Sequence, residues 1–199
     1  MTFSSLTTVL IPAAGASHRL GQAKQLVDLN GTPLLQHAIN TALSISPLDI
    51  IVVTGAHSKA VRDSIQDQPV NWVHNLDWAE GMGTSLAVGA AAVKPESAGL
   101  MVFLCDQWRI QTQDLHALAE CWQSHPDHIV TATYGGQSMP PVIFPSVYIK
   151  QMQRLSGQQG ARTLIEDRAE NVIAVSMKNA AYDLDTPADL VNLRNHLDG

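Results

Sequence analysis

Thr8-Val9-Leu10-Ile11-Pro12-Ala13 runs without a break into Ala14-Gly15-Ala16-Ser17-His18-Arg19-Leu20-Gly21-Gln22-Ala23-Lys24, and the fold turns on this stretch. Its first six residues are short and largely apolar, as in a strand buried on both faces of a parallel sheet. The residues behind them are small, and no acid occurs between Ala13 and Val27. Small residues let backbone N–H groups approach phosphate oxygens, and Arg19 and Lys24 add charge. The loop is not a P-loop, because no Gly-Lys-Ser/Thr follows. It is not a dinucleotide fingerprint, because Gly15 and Gly21 stand too far apart. Alone, it also reads as an ordinary glycine-containing turn with two solvated bases.

Outward from this loop, short apolar runs alternate with helical patterns, the rhythm of an α/β fold. Thr32-Pro33 is expected to open a helix, with Thr32 as N-cap and Leu34, Leu35, Ala38, Ala42 and Leu43 as its buried face. Asp49–Val53, Val70–His74 and Gly99–Leu104 read as strands. Lys59–Gln66, Ser85–Lys94 and the segment carrying Leu115, Leu118, Ala119 and Trp122 read as helices. After Pro126 the pattern changes. His128–Tyr134 and Pro141–Phe144 flank Gly135-Gly136 and predict an antiparallel pair. Ser146–Leu155 and Ala161–Arg168 read as helical and Asn171–Ser176 as a last strand. Thr186-Pro187-Ala188-Asp189 opens a closing helix. A mixed, mostly parallel sheet between helical layers follows, with residues 1–199 as one domain.

Composition narrows the function. A chain of 199 residues, 45% hydrophobic, can bury one substantial core. A formal net charge of -6 gives no global attraction for nucleic acid or an anionic membrane, so neither is an expected partner. Cys105 and Cys121 lack zinc-site spacing, and free thiols in a reducing compartment are the simpler reading. Met1–Thr8 has no basic n-region before an apolar stretch. The runs Val9–Ala14 and Leu100–Cys105 are strand-length. A cytoplasmic location is expected.

Ligands of parallel sheets bind at the carboxyl ends of the strands, and three further loops there carry unusual residues. Asp106 follows the fourth strand in Leu104-Cys105-Asp106-Gln107, where a carboxylate suits Mg²⁺, although an Asp there also turns loops. Asp183-Leu184-Asp185-Thr186-Pro187 precedes the last helix. Its two acids, on alternate positions of an extended segment, are expected to point to opposite sides, so at most one should face a metal, with Asp185 better placed; the plainer reading is electrostatic support of the helix N-terminus. Asn75–Ser85 holds Gly81-Met82-Gly83, whose glycines and following helix N-terminus suit a base or phosphate, or else form a compact connector. The plainer readings weaken together, because all four loops fall on one edge of one sheet.

Ala13-Ala14-Gly15-x-Ser17-x-Arg19-x-Gly21-x-x-Lys24 resembles the signature loop of NTP transferases with a glycosyltransferase-A-like fold. Four further segments narrow the resemblance: Asn75-Leu76-Asp77-Trp78-Ala79-Glu80-Gly81-Met82-Gly83-Thr84-Ser85-Leu86, Leu104-Cys105-Asp106-Gln107, Leu155-Ser156-Gly157-x-x-Gly160-Ala161-Arg162 and Asp183-Leu184-Asp185-Thr186-Pro187. In that order they are similar to the molybdenum cofactor cytidylyltransferase group, from about Val9 to Leu193. The first loop is common to many NTP transferases; the Glu-Gly-Met-Gly and Cys-Asp-Gln segments are more particular.

The resemblance implies a three-layer, nucleotide-diphospho-sugar transferase-like (Rossmann-like) fold. It also implies transfer of CMP from CTP to the terminal phosphate of molybdopterin, with release of pyrophosphate. Ala13, Ala14, Gly15, Ala16 and Ser17 would hold the nucleotide. Arg19 and Lys24 would neutralise the triphosphate, and Asp106, with Asp185, would hold Mg²⁺. Thr54, Gly55 and Asn75 would line the base and ribose pocket, with Gly81, Gly83 and Ser85 nearby. A molybdenum hydroxylase or its chaperone is the implied partner. A phosphate acceptor is already ionised, so the lack of a Ser/His/Asp or Cys/His constellation fits. Of the eight histidines, His57 and His74 are placed to approach the site, and a structural or surface role is expected of each.

Two departures stand out. Met139-Pro140-Pro141 replaces the group's usual Gly-His-Pro, and Trp108-Arg109 follows Cys-Asp-Gln where Pro is usual; both are expected beside the acceptor. The alternatives are the same chemistry on a sugar phosphate or methylerythritol phosphate, and a non-catalytic carrier of the pterin cofactor. The Glu-Gly-Met-Gly loop argues against methylerythritol phosphate, and Arg19, Lys24 and Asp106 together argue against a carrier.

Overall fold

Every residue of strand β1 (Thr7–Ala13) is buried. Val9, Ile11 and Ala13 enter one apolar cluster and Leu10 another, so the strand is covered on both faces. The structure is a computed structural model describing residues 6–65 and 68–197. β4 (Asp49–Thr54) lies parallel on one side of β1, with β5 (Asn71–His74) parallel beyond it. β6 (Gly99–Val102) lies parallel on the other side. β8 (Gln137–Pro145) runs antiparallel to both β6 and β7 (Ile129–Tyr134), and β9 (Val172–Ser176) closes the edge parallel to β7. The order is β5-β4-β1-β6-β8-β7-β9, a mixed and mostly parallel sheet. The chain leaves β1 toward β4 and later returns to its far side at β6, so the crevice between β1 and β6 is the topological switch point, the place at which open α/β sheets generally bind ligands.

Helices cover the two faces. α1 (Leu34–Leu43), α2 (Ser58–Ser64) and α4 (Thr112–Ser124) press Leu35, Ile39, Val61, Leu115 and Trp122 into the cluster of Val9 and Ile11. α3 (Met82–Ala91), α5 (Ile149–Met152) and α6 (Ala161–Glu166) press Leu86, Ala90, Met152 and Leu164 into that of Leu10. The short-helix prediction over Lys59–Gln66 overlaps α2, though Gln66 lies outside the described residues. No helix among the described residues is long and apolar enough to cross a membrane.

One predicted helix start is corrected. Thr32–Pro33 is not the opening of α1 but a two-residue strand, β3, paired antiparallel with β2 (Asp28–Leu29). Asn30 and Gly31 between them have φ of 54° and 80°, as a type I′ hairpin turn requires. Pro33 takes the N-cap position of α1, and no side chain caps that helix. The closing helix α7 (Pro187–Leu197) has the predicted cap: the Thr186 N–H donates to Asp189 Oδ2 at 2.7 Å and the Asp189 N–H to Thr186 Oγ1 at 3.3 Å.

A third apolar cluster, of Leu20, Val27, Leu29, Leu34, Trp108, Leu184 and Leu193, sits beneath the loops at the sheet's carboxyl edge. Leu20 lies between Arg19 and Lys24, Trp108 lies two residues past Asp106, and Leu184 separates Asp183 from Asp185. Leu184 is fully buried, worth about 2 kcal/mol for a side chain of its size. The Leu184 N–H also donates to the Asp106 carbonyl at 3.0 Å, tying two acid-bearing loops together. These apolar anchors bring the charged residues of three distant segments to one place.

Candidate active site

Beyond β1 the backbone turns its carbonyls inward. Gln25 Nε2 donates to the Ala13 and Gly15 carbonyls, each at 3.0 Å. The Ala56 N–H donates to the Ala14 carbonyl at 3.0 Å, and His57 Nε2 lies 3.3 Å from that of Ala16. Ser17 takes φ of 55°, its carbonyl accepts the N–H groups of Leu20 and Gly21, and its Oγ accepts the Lys24 N–H at 3.2 Å. Among the described residues, the N–H groups of Gly15, Ala16 and Ser17 donate to no protein acceptor. Five occupied carbonyls beside free amides form an arrangement that suits an anion.

The loop walls a cavity of about 380 Å³ that also touches His18, Lys24, Gln25, Trp78, Gly81, Met82, Ser85, Leu104, Asp106 and Gln158. The N-terminus of α3 points its positive end into it through Met82 and Ser85. Lys24 forms an ion pair with Asp106, and its Nζ also lies 3.9 Å from Asp185 Oδ1. Arg19 pairs with the other oxygen of Asp185 from an exposed position. Burial opposes the charge on Lys24, but the charge and hydrogen bond of Asp106 outweigh it and hold the ammonium above its ordinary pKa. Burial and the neighbouring Asp106 carboxylate push the Cys105 thiol up to about 12, so it is not a nucleophile at neutral pH.

Asp106 and Asp185 thus converge on one cation, the Lys24 ammonium. Asp106 Oδ1 is buried and has no hydrogen-bond partner among the described residues. An orphaned buried carboxylate oxygen, with a second acid on the same lysine, is a donor set that fits Mg²⁺, which takes one or two carboxylates and completes its shell with phosphate and water. Among the described residues, no three or more His, Cys, Asp or Glu side chains are grouped to hold an ion.

The other expected residues divide. Ala14, Gly15, Ala16, Gly81 and Ser85 line the cavity, whereas Ala13 is buried beneath it. Thr54 and Asn75 do not line it, contrary to expectation. Thr54 Oγ1 lies 3.0 Å from Ser58 Oγ and 3.4 Å from His74 Nδ1, and Asn75 Nδ2 donates to Thr84 and Ser85 at 2.9 and 3.0 Å. Buried polar groups must be satisfied, and these two are satisfied by the scaffold. Gly55 is pressed between Trp78 and the Ala14 carbonyl, where a Cβ would come within 2.7 Å of both. Gly83 faces away from the cavity and donates to the Gly157 carbonyl at 2.9 Å. Gly81, at φ of 137°, leaves a Cβ 2.3 Å from that same carbonyl, so the turn accepts only glycine.

The two acids before α7 do not part to opposite sides. Residues i and i+2 of an extended segment share a side; Leu184 is buried on one and both acids stand on the other. Desolvation, and then the Asp106 carboxylate, hold the Asp183 carboxyl above its ordinary pKa. The surroundings expected for Trp108 and Arg109 are also corrected. Trp108 is 5% exposed within the third cluster, and Arg109 lines a different cavity that shares no residue with the first. Trp108 is apolar enough to be drawn into the core, and it carries Arg109 away with it. Met139 and Pro140 line an apolar cavity of about 180 Å³ that shares Met82 and Leu104 with the first. Sequence reading missed His18, Gln25 and Gln158. Gln25 follows Lys24 directly, but Gln158 arrives through contact of its loop with Gly81, which no local pattern signals.

Residues 9–172 match the MobA-like NTP transferase domain. Bifunctional protein GlmU of Legionella pneumophila (strain Philadelphia 1) is 38% identical over 62% of this chain, which spans only 27% of that relative's length. Nicotine blue oxidoreductase of Paenarthrobacter nicotinovorans is 30% identical, covering 94% of this chain and 96% of its own. Molybdenum cofactor cytidylyltransferase of Escherichia coli (strain K12) is 23% identical, covering 93% and 94%. A solved homologue of Mycobacterium tuberculosis rv0371c, from Mycobacterium sp. strain JC1, superimposes with a TM-score of 0.83 at 25% identity, covering 98% of each chain. A nucleotidyl transferase from Methanothermobacter thermautotroptrophicus shares the fold, with a TM-score of 0.82 at 18% identity over 96% and 97% of the two chains. With the domain matched from β1 to the first residue of β9 and a full-length relative at 30% identity, the chain belongs to the MobA-like NTP transferase family.

Proposed function

We propose that this NTP transferase moves CMP from CTP to the terminal phosphate of molybdopterin in the cytoplasm, and that a molybdenum hydroxylase or its chaperone receives the product. An acceptor phosphate oxygen attacks the α-phosphorus, the bond to the bridging oxygen breaks, and pyrophosphate leaves with the electron pair. The acceptor oxygen is already ionised, so no side chain need remove a proton. The free amides of Gly15–Ser17 bind phosphate oxygens, and Lys24 and Arg19 offset the charge that accumulates on pyrophosphate. Asp106 and Asp185 would hold Mg²⁺, which supplies further charge neutralisation on the triphosphate. The observation that carries this reading is the convergence of Asp106 and Asp185 on Lys24 beside the amide cradle.

The Ala13-Ala14-Gly15 form of the loop supports a pyrimidine nucleotide, because the guanylyl branch tends to carry a second glycine there. The apolar cavity at Met139 and Pro140 supports an acceptor site next to the nucleotide. The test is pyrophosphate release from CTP and from GTP, with molybdopterin as acceptor and Mg²⁺ present. CTP should be preferred by kcat/KM; equal turnover or a preference for GTP would remove the cytidylyl assignment. The 30% identity to nicotine blue oxidoreductase favours a second reading, a redox enzyme on this fold. A redox change in the acceptor without pyrophosphate release would select it.

A further inference from the structure

Arg109 is a cation that the nucleotide site does not use. Its guanidinium lies 4.6 Å from the Trp108 ring centre and 3.9 Å from that of Tyr182. Among the described residues it pairs with no carboxylate, and its Nε is buried without an acceptor. The two cations at the nucleotide site, Arg19 and Lys24, both have carboxylate partners. Asp114, at the start of α4 nearby, is already taken: its Oδ2 accepts the Gln111 N–H at 2.8 Å and Asn179 Nδ2 at 2.9 Å. Aromatic faces offset a positive charge only in part, and they hold a guanidinium flat with its outer N–H groups in a fixed fork.

Arg109 lines a cavity of about 450 Å³ with Gln111, Asn179, His37 and His196. The His196 ring sits 5.2 Å from that of Trp108, at the wall between this cavity and a cleft that Arg109 and His196 also line. Burial holds His37 below its ordinary pKa, so it offers hydrogen bonds rather than charge. We infer that this cavity is a second ligand site, separate from the nucleotide cavity, that takes a phosphate-type oxyanion on the Arg109 fork with side-chain donors around it. In a chain of net charge -6, a preoriented and uncompensated arginine in a polar cavity has an anion as its natural complement. The inference does not depend on nucleotidyl transfer.

The test separates the two cavities. Trp78 lines the first and Trp108 the second, so a Lys24→Met/Trp78→Phe double variant weakens phosphate binding at the nucleotide site and removes its reporter. Titrating this full-length variant with inorganic phosphate, and separately with glycerol 2-phosphate, should give a saturable change in tryptophan fluorescence. Arg109→Gln added to it should abolish the change. Arg109→Lys, which keeps the charge and loses the fork, should weaken binding by about tenfold. Trp108→Phe should lose the optical signal while calorimetry still detects binding. Tighter binding of the ester would assign the site to phosphate monoesters, and tighter binding of phosphate to the free ion. No saturable binding in the double variant, or binding unchanged by both Arg109 substitutions, would overturn the proposal.

Discussion

Lys24 and Asp106 stand 82 positions apart in the chain and meet as an ion pair at the mouth of the sheet, with Asp185 drawn in as a second acid. The pair is the product of the fold rather than of local sequence. Leu20 and Trp108, close to either partner, pack in the same apolar cluster. In this arrangement the lysine ammonium stands between the two carboxylates that, on the proposed function, would hold Mg²⁺.

The first prediction follows from that placement. Asp106→Asn keeps the size of the side chain and removes its charge, so cooperative unfolding should be retained. Turnover measured by pyrophosphate release should fall by about 10²-fold or more, as loss of charge stabilisation typically does. Asp185 is more exposed, and Asp185→Asn should cost less. Full activity in Asp106→Asn would refute the metal-binding role.

Gln25 is one of three cavity residues that sequence reading passed over. It is 1% exposed, and its amide is the only side-chain donor recorded for the Ala13 and Gly15 carbonyls among the described residues. Gln25→Leu should destabilise the fold by about 1–3 kcal/mol, because two carbonyls lose their partner. As a positioning residue it should raise KM for CTP by about tenfold, since lost charge-free hydrogen bonding loosens the cradle, while KM for the acceptor stays put. A stability loss with no change in either KM would leave Gln25 a purely structural role.

The layout of the sheet was legible because strands buried on both faces must be apolar runs, and Thr8–Ala13 differs from β1 by a single residue. The loop after β1, with its free amides at Gly15–Ser17, was legible because so few residue types permit close backbone approach. The β2–β3 hairpin was hidden behind Thr32-Pro33, a good helix signal, although Asn30-Gly31 carried the stronger turn signal two residues earlier. The fate of Trp108 was not legible at all. Its partners, Leu20 in the loop after β1, Val27 and Leu29 at β2, Leu34 in α1, Leu184 before α7 and Leu193 within it, come together only in the packed structure.

Asp183 supplies a pH-dependent prediction. Desolvation and the Asp106 charge raise its carboxyl in the folded state. A carboxyl with a raised folded pKa binds its proton more tightly when folded, so its contribution favours folding below the unfolded value. That contribution is lost as pH rises through the folded value, and at neutral pH Asp183 is a net cost. Asp183→Asn should therefore raise Tm at pH 7 by about 1–2 °C after solvent screening, and by less near pH 4. An equal shift at both pH values would show that repulsion from Asp106 is not the cause.

The last prediction concerns Met139 and Pro140. They line a cavity whose exposed surface is almost entirely apolar and which joins the nucleotide cavity at Met82 and Leu104. Pro140 also gives its carbonyl to Gln107 Nε2 at 2.6 Å, and the same Nε2 donates to the Ala180 carbonyl at 2.9 Å. These bonds hold the backbone here, and the two side chains supply one part of the cavity's apolar wall, beside Met82, Leu86, Val102 and Leu104. A methionine fills space flexibly and a proline ring has no N–H to donate, so an acceptor rich in hydrogen-bonding groups finds few partners. Met139→Gly with Pro140→His would widen the cavity and add an imidazole while leaving the Gly15–Ser17 amides untouched. The double variant should lower KM for molybdopterin by about tenfold, the worth of one or two new hydrogen bonds, with KM for CTP unchanged. Ordinary loop variation makes the opposite forecast: efficient use of molybdopterin by the wild type and no movement of acceptor kinetics in the variant. The Gln107 bonds distinguish a collapsed backbone from a changed pocket. Pro140→His alone keeps the carbonyl that Gln107 needs, so it should leave Tm nearly unchanged, and a large loss of stability there would locate the effect in the scaffold instead.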